Sequence, residues 1–155
     1  MQTFCMRNLF DPAAADELKQ RIGSLGTVSE RRWGKMNAAQ AVAHCSASME
    51  WALGDTNPPR MFIGRIIGGI IKPLVLRDDK PMRPNSPTTP TLIVQDERDL
   101  DFEKQRLSGL IDRFTSAGPK AFTTRPHSFF GNLTPDEWAI LMFKHLDHHL
   151  RQFSA

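Results

Sequence analysis

Several features that would place this chain in a special class of protein are missing from its sequence. It has two cysteines in 155 residues, Cys5 and Cys45, and they do not form a Cys-x-x-Cys pair. A disulfide scaffold needs more, so both are predicted to be free thiols. No run of about 18 uncharged apolar residues is present, which argues against a transmembrane helix. Residues 1–10 lack a basic start followed by a long apolar run, so we expect no signal peptide and a cytoplasmic protein.

The charge balance gives no sign of a nucleic-acid partner. Lys and Arg number 20 against 17 Asp and Glu, for a net charge of +3, and the basic residues are scattered among acidic ones. A solvated, mixed surface is the expected result. The chain also lacks paired carboxylates, a Gly-rich phosphate loop and a nucleophile elbow. The histidines are therefore the main candidates for chemistry.

Helical signals dominate what is present. Four segments have apolar residues at helical spacing, and they run over about Asp11–Leu25, Asn37–Leu53, Leu100–Ala117 and Pro135–Phe153. Capping boxes mark two of the starts, Asn37 with Gln40 and Thr134 with Glu137. We therefore predict one all-α domain that covers the whole chain, a four-helix bundle with a long Pro-rich crossover (residues 58–95) between helices 2 and 3.

The crossover holds most of the prolines of the chain, too many for one regular element. Within it, Met61–Leu76 is strongly apolar but interrupted by glycines, so one or two short helical turns packed on the core are predicted. A membrane-surface segment is a less favoured alternative, because Arg60, Arg65 and Lys72 are too few for a firm basic face. We expect no membrane partner. Thr91–Val94 is a candidate for a short extended piece.

Three of the five histidines fall in the last predicted helix. At about 100° per residue, His145 and His149 differ by about 40° in direction. Both lie along the apolar stripe of the helix, beside Trp138 and Met142. Two imidazoles therefore point inward one turn apart, in a His-x-x-x-His arrangement that offers two nitrogens to one metal ion. Burying imidazoles without partners is costly, and a metal ion removes that cost.

A third ligand has to come from another helix, and His44 is the only other histidine inside a predicted one. It lies at the edge of the apolar face of its helix. Simpler explanations stay open on the residues alone, since a lone His44 is more often a core or surface residue than a ligand. His145 and His149 could equally be hydrogen-bonded core residues or part of a charged helix end. His148 could replace either of them through i, i+3 spacing with His145.

Three stretches of the chain carry a resemblance to a known family. They are Arg32–Gln40 (RWGKMNAAQ) leading to His44, His127–Trp138 (HSFFGNLTPDEW) and His145–Phe153 (HLDHHLRQF). Together they cover the chain in order, with weaker similarity in the Pro-rich middle. On these motifs the chain resembles the DinB-like superfamily of metal-binding four-helix bundles, and within it a small branch without an assigned function.

The resemblance implies that His44, His145 and His149 match three metal-ligand positions for one divalent metal ion. Zinc, nickel and iron are candidates, since three imidazoles suit several metals. Relatives in the superfamily include metal-dependent thiol transferases and metal-dependent hydrolases, while others have no known activity. Either activity is therefore an expectation for this chain.

One departure from the family pattern follows the last histidine. The family often continues there with His-Arg-Gly-Gln, whereas this chain has His149-Leu150-Arg151-Gln152. Gln152 keeps its place and is a candidate neighbour of the metal ligands. Arg151 is displaced by one residue, about 100° around the helix, so a family role for that arginine does not transfer directly.

Three neutral nitrogens with an open position are typical of a catalytic metal site. We expect the open position to face a pocket near Trp51, Trp138 and His148 that takes an unidentified small molecule. His148 and His127 are candidates for a general acid or base, although surface placement is favoured for both. The competing interpretation is a non-enzymatic bundle with a structural or vestigial histidine site, in which Met61–Leu76 serves as an interface for a partner or a homodimer.

Overall fold

A computed structural model describes residues 6–121 and 126–155. Within these ranges the protein is all-helical and has no strand. Its five α-helices are α1 (Pro12–Ser24), α2 (Ala38–Ala52), α3 (Phe62–Leu76), α4 (Leu100–Ala117) and α5 (Pro135–Gln152). The all-α class is confirmed. The predicted four-helix bundle is not, because a fifth helix, α3, occupies part of the crossover.

The four predicted helices begin and end within about one residue of their expected bounds, because local capping signals set those ends. At the start of α2, Asn37 and Gln40 form both bonds of a capping box, with distances of 3.0 and 2.9 Å. At the start of α5, Thr134 and Glu137 do the same. Both predicted capping boxes are confirmed.

The core lies between these four helices, since α1 and α2 each pack against α4 and α5. The apolar stripe of α1 is buried, and so is the small-residue face of α2. The largest side chains at the centre of the core are Trp138, Phe114, Met49, Leu107, Ile111 and Leu146. Alanines along α2 leave room for its neighbours to approach closely, which brings α2 and α5 side by side.

Helix α3 corrects the prediction for Met61–Leu76. The segment forms one 15-residue helix rather than short turns, since most prolines of the crossover lie outside it and only Pro73 falls inside, near its end. Gly64 and Gly68 face the body of the protein, where a Cβ would lie 2.5 and 2.0 Å from the carbonyl oxygen of Phe129. Leu76 is buried and Val75 packs against the core, but five other large apolar side chains are exposed, so the predicted packing on the core holds for one side of the helix. The exposed ones are Phe62, Ile63, Ile66, Ile70 and Leu74.

The chain between α3 and α4 forms a 3-10 turn, Pro90–Leu92, where the sequence suggested a short extended piece. Leu92 is buried, and the hydroxyl of Thr89 shares a 2.8 Å hydrogen bond with that of Ser128. The turn packs against α2, and this hydrogen bond ties it to the segment that precedes α5. No helix in the described ranges combines the length and the apolar character that crossing a bilayer requires.

Candidate metal centre

Helices α2 and α5 bring three imidazoles together. His145 and His149 lie one turn apart on α5, and His44 meets them from the facing side of α2. The Nε2 atoms of His44 and His145 are 3.0 Å apart, and the three ring centroids are 4.7 to 4.9 Å from one another. One nitrogen from each ring lies within 4.8 Å of the other two. His44 is buried, whereas His145 and His149 are partly exposed, so the cluster lies at the edge of the core.

The outer ring nitrogens of two of these histidines are held by oxygen acceptors. The Nδ1 of His44 lies 2.7 Å from the carbonyl oxygen of Leu92, and the Nδ1 of His149 lies 2.9 Å from the Oε1 of Gln152. A carbonyl oxygen only accepts, so each Nδ1 carries the proton and donates. Each Nε2 is then left unprotonated, the form that a metal ligand requires, and that of His44 faces the Nε2 of His145.

Gln152 is itself fixed in one orientation. Its Nε2 donates to the carbonyl oxygen of Trp33 at 2.7 Å, so its Oε1 has to face His149. Gly34 lies against the same amide, because a Cβ at this position would be 2.5 Å from the Nε2 of Gln152, and its φ of +80° disfavours any side chain. The Trp33–Gly34 turn therefore supports the ligand position of His149.

The donor set fits a divalent metal ion. Two nitrogen ligands of a tetrahedral zinc ion, at bond lengths of about 2.0–2.1 Å, lie roughly 3.3 Å apart, close to the 3.0 Å that separates His44 from His145. His145 differs from the other two, since its Nδ1 is buried and has no hydrogen-bond partner in the described part of the chain. Two of the three candidate ligands therefore have the hydrogen-bonded support that is typical of metal-bound histidines.

Burial keeps these imidazoles neutral. Loss of hydration lowers the pKa of His44 and His145 and lowers that of His149 to about 3, and the neighbouring imidazoles lower them further. The hydrogen bonds from His44 to Leu92 and from His149 to Gln152 oppose this effect only in part. Neutral rings near pH 7 keep the lone pairs available for a metal ion.

The two other histidines are buried rather than on the surface, so the favoured surface placement was wrong for both. His148 and His127 each have 8% of their surface exposed. The Nδ1 of His148 lies 3.3 Å from the carbonyl oxygen of Met82, and its ring lies 5.0 Å from that of His149 and 5.5 Å from that of Trp33. Burial lowers the pKa of His148 as well.

His127 belongs to an aromatic cluster with the two tryptophans named from the sequence. Its ring stacks on that of Trp51 at 4.2 Å, and Trp138 lies 5.4 Å away. The Nδ1 of His127 accepts from the backbone N–H groups of Phe129 and Phe130. Burial, with a smaller contribution from the Arg60 cation, lowers its pKa to about 3.

The expected pocket near Trp51, Trp138 and His148 is not assembled as predicted. Trp138 and His148 are ten residues apart on α5, about 15 Å along the helix axis, and Trp51 lies beside Trp138. Cys45 packs in the core as expected, where burial raises the pKa of its thiol and keeps it protonated. Cys5 lies outside the described residues.

Sequence reasoning missed two groups that support the cluster. Leu92 acts through its backbone carbonyl, which no side-chain pattern can reveal. Trp33 and Gly34 lie in one of the motifs that carry the family resemblance, yet nothing local indicated that they contact the end of α5. The turn at Gly34 could have been predicted, since a glycine shortly before a helix start is typical of a turn with positive φ.

Fold and site together define an all-helical protein with a three-histidine cluster between two of its helices. Residues 7–155 match the family described as "Protein of unknown function (DUF1569)", and the chain belongs to that family. No curated protein and no solved structure matches the chain.

Proposed function

We propose that the protein binds one divalent metal ion through the Nε2 atoms of His44, His145 and His149. The observation that carries the proposal is the convergence of the three nitrogens within 4.8 Å, with two rings locked by acceptors in the tautomer that leaves Nε2 free. Histidines that serve only as hydrogen-bonded core residues have no need to bring three ring nitrogens together in this way. Zinc, nickel and iron are the candidate metals.

We further propose an open fourth position, at which an unidentified small molecule reacts. A bound divalent ion supplies Lewis-acid chemistry there, because it lowers the pKa of a coordinated water or thiol towards neutrality. The protein residues orient the ligands: Leu92 fixes His44, and Gln152 with Trp33 fixes His149. His148, whose ring lies 5.0 Å from that of His149, is the nearest remaining imidazole for moving a proton.

A metal-dependent hydrolase and a thiol-dependent transferase are the two activities that we favour. Support comes from the sequence resemblance to the DinB-like superfamily, in which both occur, and from the partial exposure of His145 and His149, which leaves a side of the cluster near the surface. Arg151, which is displaced by one residue from the family position, pairs with Asp147 at 2.7 Å.

Elemental analysis by mass spectrometry of protein purified without a His-tag tests the proposal. About one metal ion per chain is expected in the wild type, and none in His44→Ala or His145→Ala. His148→Ala serves as the matched control, because it removes a buried imidazole from the same helix that does not belong to the cluster. A wild-type protein that binds no metal when zinc, nickel or iron is supplied contradicts the proposal.

The second candidate function is a non-enzymatic bundle with a structural histidine site. The exposed apolar face of α3 favours it, since such a face suits a binding partner or a homodimer. Two results together would distinguish this function from catalysis. The protein would retain its metal without turning over any thiol or hydrolysable substrate, and its mass in light scattering would rise with concentration.

A further inference from the structure

Helix α3 carries an apolar stripe that no described part of the chain covers. Its members are between 48% and 78% exposed, and they are Phe62, Ile63, Ile66, Ile70 and Leu74. Residues at such spacing share one side of a helix. A continuous exposed apolar surface of this kind marks a site of interaction rather than an ordinary scatter of surface residues.

The stripe faces outward because the opposite side of α3 is firmly attached. Gly64 and Gly68 press against the backbone of Phe129. Lys72 donates to the carbonyl oxygen of Asn132 at 2.9 Å. At the end of the helix, the buried Nζ of Lys144 donates to the carbonyl oxygen of Val75. Leu76 and Val75 add apolar packing at the end of the helix, whereas the five side chains of the stripe take no part in holding it.

The charge of the chain is concentrated along the same helix. Residues 60–77 contain Arg60, Arg65, Lys72 and Arg77 and no acidic residue, which gives +4. The remainder of the chain has 16 basic and 17 acidic residues, and therefore a net charge of −1. Two of these cations are engaged by the body of the protein, since Lys72 pairs with Glu137 at 2.9 Å and Arg60 donates to the carbonyl oxygen of His127. The other two, Arg65 and Arg77, are exposed.

We propose that α3 is a membrane-surface helix that binds an anionic lipid bilayer. An exposed apolar stripe with exposed arginines on the same helix fits the boundary between acidic headgroups and acyl chains, where Ile66 and Ile70 insert and Arg65 contacts phosphates. A second copy of the chain is a poorer occupant, because pairing two such helices brings the exposed arginines of both copies together. The sequence alone disfavoured a membrane-surface segment because Arg60, Arg65 and Lys72 are too few for a firm basic face; the exposure of the apolar stripe is what the structure adds.

Vesicle flotation of the full-length protein tests the proposal. Vesicles of phosphatidylcholine alone are compared with vesicles in which about a third of the lipid is phosphatidylserine. Binding is expected to the acidic vesicles, to weaken with salt, and to fall roughly tenfold or more in Ile66→Ser/Ile70→Ser. Replacing Arg65 or Arg77 by Gln is expected to weaken it about fivefold each. The matched control is Val28→Ser/Phe102→Ser, which removes two exposed apolar side chains away from α3.

The outcomes separate the occupants of the stripe. Flotation that is lost in the α3 variant and kept in the control supports the proposal, with unchanged circular dichroism and metal content showing that both variants fold. Absence of flotation with acidic vesicles overturns it. A concentration-dependent dimer that Ile66→Ser/Ile70→Ser dissociates, without any flotation, overturns it in favour of a second copy.

Discussion

Single residues decide how well each imidazole of the cluster is oriented. His44 and His149 have oxygen acceptors on their outer nitrogens, whereas the Nδ1 of His145 has none in the described ranges. A ring whose outer nitrogen is held loses less freedom when a metal ion binds. The orientation of the imidazoles therefore depends mainly on Leu92 and Gln152. Leu92 acts through its backbone carbonyl, so only Gln152 can be tested by substitution.

Gln152→Ala is expected to weaken metal binding by about 10- to 100-fold, since it removes the acceptor that fixes the Nδ1–H tautomer of His149. Competition against a chromogenic zinc chelator measures the effect. Gln20→Ala, an exposed glutamine on α1, is the control and should bind as the wild type does. Equal affinity in Gln152→Ala and the wild type would show that this hydrogen bond does not support the site.

The buried imidazoles also make the metal-free protein sensitive to acid. Their pKa values are lowered in the folded state, to about 3 for His149 and His127, so between there and about 6.5 the unfolded state binds more protons. The free energy of unfolding is therefore complete above about pH 6.5 and falls below it. Each such histidine contributes a slope of up to about 1.4 kcal/mol per pH unit.

His127→Asn isolates one of these groups, because the Asn Oδ1 can take the place of the Nδ1 that accepts from Phe129 and Phe130. In urea unfolding between about pH 7 and about pH 5 with a chelator present, its slope should be smaller than that of the wild type by up to about 1.4 kcal/mol per pH unit. An unchanged slope would mean that His127 is already protonated in the folded protein.

The candidate ligands could be predicted from the sequence, but their surroundings could not. His145 and His149 share a face through the helical period alone, and His44 was the only other histidine inside a predicted helix, a choice that the family resemblance then supported. The burial of His127 and His148 escaped prediction because it depends on the segments that cover them. The carbonyl of Met82 and the ring of Trp51 come from parts of the chain far away in sequence.

At the scale of helices, predictability followed local signals. The ends of α2 and α5 carry capping boxes, so their bounds were predicted closely. Helix α3 has no side-chain cap at its start. Its glycines and Pro73 are residues that usually interrupt helices, so the sequence predicted short turns there. Those glycines serve a purpose that only the folded protein reveals, since Gly64 and Gly68 let the helix touch the backbone of Phe129.

Two neighbouring glycines of α3 test this attachment. In Gly68→Ala the new Cβ would lie 2.0 Å from the carbonyl oxygen of Phe129, and the forced shift should cost about 1–3 kcal/mol of unfolding free energy. Gly69 has nothing within 4 Å of an added Cβ, so Gly69→Ala should stabilise the protein by about 0.5–1 kcal/mol. Urea unfolding measures both, and similar changes in the two variants would contradict the observed packing.

For the whole molecule, the cluster joins distant parts of the chain. His44 and His145 are 101 residues apart in sequence, and Leu92 ties the crossover to the same point. All three histidines can coordinate one ion only in the folded chain, because the unfolded chain does not bring them together. Metal binding should therefore act on global stability and not on one loop.

Zinc at about 100 times its dissociation constant is expected to stabilise the protein by about 2.7 kcal/mol. For a chain of this size that raises Tm by about 5–10 °C, which differential scanning calorimetry of the chelator-treated and reloaded protein measures. His44→Ala should unfold at the same temperature with and without zinc, because two imidazoles on one helix bind the ion weakly in either state. An equal rise in Tm for His44→Ala would place the bound zinc elsewhere on the protein. No rise in the wild type would show that the folded chain binds zinc no more tightly than the unfolded chain. That result would contradict the assignment of the three imidazoles as ligands.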